Sequence, residues 1–182
     1  NVGELSQKLR SEFVSRTDVT PWQVVFGHHP IHTGGRRHSK IAECLREHSY
    51  LHRGEKTVGY GLGDVLLDGR VAMYLCGHEH VMQHKQYGCV AQCVSGAVSD
   101  TGFYGGIGES ATEMDWWDQS YSRGFLAVTV RSEEAVLEFM DSNGATVVHT
   151  TTIPKPSAGP NHTEEGSPPK PQPHESYSTP TA

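Results

Sequence analysis

Two short runs, Trp22–Phe26 (WQVVF) and Val71–Cys76 (VAMYLC), are almost continuously apolar and rich in strand-forming residues, and each is followed by a Gly-His pair. A strand with one face in water alternates apolar and polar side chains, whereas a run without alternation fits a strand covered on both faces. Helical patterns surround them. Leu5, Leu9 and Phe13 recur at four-residue spacing in a helix expected to end near Thr17. Ser39 is placed to cap a second helix through about His48, with Ile41 and Leu45 inward, and residues 64–68 suit a short third one. Helices alternating with buried strands predict an α/β fold, in which ligands gather at the carboxyl ends of the strands.

Further strands are expected at Val81–Gln86, Cys89–Val94, Phe125–Val130, Ala135–Met140 and Ala145–Thr151, with Asn143-Gly144 turning the chain between the last two. The glycine-dotted stretch from Gly54 to Gly63 is expected to be a loop. So is Ser99–Ser122, rich in Gly, acidic and aromatic residues, whose length is of the kind associated with function.

With 182 residues, 35% of them hydrophobic, the chain can bury one core of ordinary size. Residues 1–153 form that domain. From Pro154 to Ala182 the chain carries all of its 10 prolines except Pro21 and Pro30, and only Ala158, Tyr177 and Ala182 as apolar or aromatic residues, so a disordered tail is expected over 154–182. A net charge of −6 argues against nucleic acid as a partner. The basic run Arg36, Arg37, His38 and Lys40 is local and suited at most to one small anion. No apolar stretch approaches the roughly 20 residues of a membrane span, and no signal-peptide pattern is present. Cys44, Cys76, Cys89 and Cys93 are too few and too irregular for a disulfide framework, and Cys76 reads as a small buried hydrophobe. The sequon Asn161-His162-Thr163 leans towards secretion.

The chemistry concentrates at the two Gly-His strand ends. Gly27 and Gly77 are expected to allow the sharp turn that aims the next imidazole at the sheet edge. Neutral imidazoles ligate zinc and iron, and His28, His78 and His80 converging from two strand ends would make a metal site. His78-x-His80 alone fits a surface or satisfied histidine equally well. His29 is expected to point away from His28, as neighbours on an extended chain do, and to serve in packing or behind the ligands.

GHHP at 27–30, YLCGHEH at 74–80, VSGA at 94–97 and a block of strands opening with GFLAVTV at 124–130 together resemble the metallophosphoesterases, or calcineurin-like phosphoesterases. Within them the likeness is to purple, or tartrate-resistant, acid phosphatases, over nearly all of residues 1–153. The resemblance implies a four-layer α/β/β/α sandwich, incomplete at the amino terminus, of which 1–153 is the carboxyl-terminal half. It implies a binuclear centre of iron with iron, zinc or manganese that hydrolyses phosphate monoesters at mildly acidic pH. In it His28 and His78 ligate the divalent ion and His80 the ferric ion, and His38 holds phosphate or protonates the leaving group. Such a family member resides outside the cell or in a lysosome or vacuole.

In that family the remaining ligands come from an amino-terminal half with G-D, G-D-x-x-Y and G-N-H motifs, none of which precedes Asn1, so the 182-residue chain alone is expected to be nearly inactive. GDVLLDG at 63–69 follows GHHP and reads as a helix. The acids Asp100, Glu109, Glu113, Asp115 and Asp118 suit a solvated loop face better than a ligand set, with Trp116 and Trp117 packing that loop or lining a cleft. Two alternatives have their own signatures: a phosphatase-derived binding protein without catalysis, and a structural zinc module of His78, His80 or His84 with Cys89 and Cys93.

Overall fold

The protein is described by a computed structural model that covers residues 8, 9, 11–13, 22–46, 50–52, 55–57, 61–103 and 105–156. The tail expected over 154–182 and most of the first helix lie largely outside these residues. Helical backbone at 8–9 and 11–13 is what falls inside.

Strands β1 (Val24–Phe26), β4 (Met73–Cys76), β5 (Met82–Tyr87), β6 (Val90–Ser95) and β7 (Trp116–Trp117) form one sheet in the order β1-β4-β6-β5-β7. Strand β4 runs parallel to both β1 and β6, pairing Val25 with Tyr74 and Leu75 with Cys93. Parallel neighbours require a crossover, and the segment after β1 supplies it with helix α1 (Ser39–Arg46), the hairpin β2 (Tyr50–His52) and β3 (Glu55–Thr57), and helix α2 (Leu62–Asp68). Strands β8 (Gly124–Val130), β9 (Glu134–Asp141) and β10 (Val147–Pro154) make a second, antiparallel sheet.

The two faces of the first sheet carry different cores. Towards the second sheet, Met73, Met82, Ala91 and Cys93 meet Ala135, Leu137, Phe139 and Ile153. Alternation along β9 explains this, because Ala135, Leu137 and Phe139 are buried while their neighbours in sequence are only partly so. On the opposite face Ile31, Leu66, Val71, Tyr74, Val90 and Val94 pack with Phe13, Leu45 and Leu62 from the helical side. The described residues therefore build helix, sheet and sheet in layers, a mixed α/β arrangement.

Three expectations need correction. Strand β1 is not covered on both faces: among the described residues only β4 pairs with it, Val24 and Val25 are half-buried and Phe26 is 77% exposed. The supposed loop at 54–63 contains β3 and the start of α2, and Glu55–Thr57 pairs antiparallel with Tyr50–His52. The long segment 99–122 is partly structured: it carries a short 3-10 turn at Glu109–Glu113, and Trp116 and Trp117 add a strand to the sheet edge beside His84 and Gln83.

Candidate metal centre

Strands β1 and β4 end side by side, and the chain after each is tied to the other. The amide of Gly27 donates to the carbonyl of Leu75 at 3.0 Å, that of Gly77 to the carbonyl of His28 at 3.1 Å, and the Tyr74 hydroxyl to the carbonyl of His29 at 2.8 Å. Gly27 is required here for close approach, since a Cβ on it would lie 2.0 Å from the Tyr74 hydroxyl oxygen. Gly77 has neither a positive φ nor a neighbour within 4 Å of such an atom. The unusual backbone belongs instead to His78, with φ of 69°, at the centre of a three-residue turn closed by the Glu79 amide on the Gly77 carbonyl at 2.8 Å. That turn is rare and costs energy, of order 1–3 kcal/mol for such a residue, and outliers of this sort cluster at functional sites.

The turn brings imidazoles together. His78 Nδ1 lies 2.9 Å from His28 Nε2, the rings of His29 and His78 are 4.0 Å apart between centroids, and His38 stacks obliquely on His78 at 4.1 Å. Among the described residues, His28, His29 and His78 form the group whose ligand atoms all lie within 4.8 Å of one another. His29 joins the cluster because residues 28 and 29 sit in a bend and not on extended chain, so the two rings pack edge to face at 4.8 Å instead of pointing apart. His80, two residues on, forms an isolated bridge with Gly102 and sets its Nδ1 3.4 Å from the Asp100 carboxylate, outside that group.

Burial, followed by crowding from His29, His38, His28 and His80, pushes His78 down to about 4. Burial, His28 and His38 lower His29 as well. Both shifts favour the neutral ring, the state a metal ligand needs. His29 Nδ1 and His78 Nε2 are buried without a hydrogen-bond partner. Buried polar atoms are normally satisfied, and the unpaired His29 Nδ1 beside the His28 Nε2–His78 Nδ1 pair suits a cation ligand.

The bed under the cluster was not legible in the sequence. Glu79, between the two histidines of GHEH, is fully buried; its Oε1 accepts from the Thr33 hydroxyl at 2.8 Å and lies 3.1 Å from His38 Nδ1. Gly35 gives this carboxyl its space, because a Cβ there would come within 2.4 Å of Oε1. Gln92 on β6 accepts the amides of Ile31 and His32 at 2.8 and 2.9 Å and donates to the carbonyl of His32 at 2.7 Å, while Gln83 on β5 accepts the Gly34 amide at 2.9 Å. Two buried glutamines thus peg the 31–35 loop across the strand ends, and the only sequence signal for them is polar residues inside strands flanked by apolar ones.

The other candidates separate. Cys89 lies at the turn between β5 and β6, at the opposite end of the sheet from His78, and Cys93 is fully buried in β6, so the zinc-module set is not assembled. Asp115 bonds to Lys85 and to the Gln86 amide, and Asp118 accepts from Ser120 and Ser122, which leaves both engaged in loop structure. GDVLLDG is helical, as expected. Trp116 stacks on His149 at 4.3 Å and packs on Phe139, pinning its segment down. Next to it, Ile107, Met114, Trp116, Trp117, Asp118 and Val148 are among the residues lining a broad open cleft of about 850 Å³.

The described residues thus set a strand-end imidazole cluster on a helix-sheet-sheet α/β body. Residues 2–82 match the calcineurin-like phosphoesterase family. In overall fold the chain is similar to GAP50, the anchor in the inner membrane complex of Plasmodium (TM-score 0.59, 18% identity, 84% of this chain and 42% of that one), and to the purple acid phosphatase PPD1 from yellow lupin (Lupinus luteus) seeds (TM-score 0.57, 16% identity, 83% and 28%). The chain thus spans less than half the length of either. No curated protein matches the sequence. The likeness to the calcineurin-like phosphoesterases is borne out by the family match over residues 2–82, and the fold is shared with both solved structures.

Proposed function

We propose that this domain contributes the histidine side of a two-metal phosphatase centre that hydrolyses phosphate monoesters at mildly acidic pH. The carrying observation is the convergence of His28 and His78 from the ends of adjacent parallel strands, His28 Nε2 and His78 Nδ1 lying 2.9 Å apart. His28 and His78 would hold a divalent ion and His80 a ferric one, with iron, zinc or manganese as the divalent partner. Such a pair of ions polarises the phosphoryl group and lowers the pKa of a bound water. His38, held by Glu79 against His78, is placed to orient a phosphate oxygen or to protonate the leaving group.

Two ions need more donors than these histidines offer. The remainder would come from an amino-terminal half of the same domain, and the 182-residue chain alone would turn over little substrate. We place the complete enzyme outside the cell or in a lysosome or vacuole. Likeness to GAP50, named as an anchor, favours a second reading in which a phosphatase fold serves binding without catalysis. Hydrolysis of p-nitrophenyl phosphate by the full gene product, loaded with iron and zinc and compared with its His78→Ala variant, separates them. Metal-dependent turnover lost in the variant supports the phosphatase; no turnover in metal-loaded protein supports the anchor.

A further inference from the structure

We infer that His29 is a metal ligand, and that His28, His29 and His78 form a three-imidazole site able to hold one divalent transition-metal ion in this chain without His80. The inference rests on the proposed metal site in sharing His28 and His78, and deepens it by exchanging the expected outer role of His29 for a direct one.

Three observations support it. The ligand atoms of these three residues already lie within 4.8 Å of one another, a set that does not include His80. Two nitrogens on one tetrahedral zinc ion sit about 3.3 Å apart, and His28 Nε2 and His78 Nδ1 are at 2.9 Å, so an ion could enter with a small parting of the rings. His29 Nδ1 is buried with no partner, and both anchors of its backbone are fixed: the following Pro30 is buried and its own carbonyl accepts from Tyr74. Packed His84 and His149 also carry an unpaired buried nitrogen, so what sets His29 apart is its convergence with His28 and His78. His80 by contrast faces Asp100, and its backbone is held by the Gly102 amide at 2.9 Å.

Three protein imidazoles leave the fourth tetrahedral position open, the ligand count of zinc sites that take up water or substrate and not of closed structural ones. Neutral imidazoles select zinc, copper, iron and nickel over magnesium or calcium. The site would therefore bind an exogenous oxygen donor such as phosphate directly on the ion.

The test is titration of the untagged 182-residue chain with Zn²⁺, and with Co²⁺ read by its visible absorption, alongside His28→Ala, His78→Ala, His80→Ala and two replacements at position 29. His29→Phe keeps the ring packing without a donor, and His29→Ala covers the case in which Phe disturbs the fold; circular dichroism confirms folding of each. One ion per chain is expected, with tetrahedral cobalt absorption. Both position-29 variants should lose more than the ~10- to 100-fold that an outer-shell partner contributes, and His80→Ala should keep its affinity within about threefold. Wild-type affinity in folded His29→Phe with loss in His28→Ala and His78→Ala would overturn the role of His29 and leave the proposed site standing. Absence of binding, or binding untouched by all four positions, would overturn both.

Discussion

Replacing Gln92 with leucine keeps the volume of a fully buried side chain but removes every polar atom from it. The Ile31 amide loses its acceptor at 2.8 Å inside the core, the His32 amide loses its acceptor at 2.9 Å, and the His32 carbonyl loses a donor at 2.7 Å. A buried donor left unsatisfied costs about 1–3 kcal/mol, and each bond on the half-buried His32 contributes about 0.5–1.5 kcal/mol. No cavity forms, so the sum is about 4 kcal/mol. With a urea slope of about 2 kcal/mol/M, the unfolding midpoint should fall by about 2 M. Urea unfolding followed by tryptophan fluorescence reads the shift directly. A midpoint for Gln92→Leu within about 0.3 M of wild type would show that the loop carrying His28 to His38 is not held through this side chain.

Other expectations follow from the same geometry. His84 and His149 are lowered chiefly by burial, although Asp115 opposes this at His84, so folding favours their neutral forms. Their contribution is present above the unfolded value near 6.5 and is lost as pH falls below it. The melting temperature should drop between pH 7.5 and 5, and less steeply in His149→Phe, which keeps the stacking on Trp116. Gly35→Ala drives a Cβ against the Glu79 carboxyl and should destabilise by at least about 1 kcal/mol in the same urea assay. At Asp118 burial pushes upward, but bonds from Ser120 and Ser122 outweigh it and hold the carboxyl below the ordinary range. Asp118→Ala should therefore free the 118–122 turn and raise its cleavage by a protease severalfold.

The sequence displayed the strands well because their apolar runs are continuous and the last three alternate cleanly, as Ala135, Leu137 and Phe139 do. It misplaced β1 because an apolar run does not reveal whether a second neighbour exists, and Phe26 at the edge looks like any core residue. At the site, GHHP and GHEH displayed His28, His29, His78 and His80, and the resemblance added His38. What they hid is three-dimensional: the left-handed turn at His78, the bend that folds His29 back, and the buried polar bed of Glu79, Gln83 and Gln92. That bed depends on partners 41 to 61 positions away, and no local periodicity encodes it.

The central claim, that these strand ends form a metal site, is tested most directly by anomalous X-ray scattering from a zinc-soaked crystal at the zinc edge. A strong peak against the rings of His28 and His78 is the predicted result. Zinc found at Cys89 or elsewhere on the surface, with the His28–His78 pair left in its 2.9 Å contact, would contradict it.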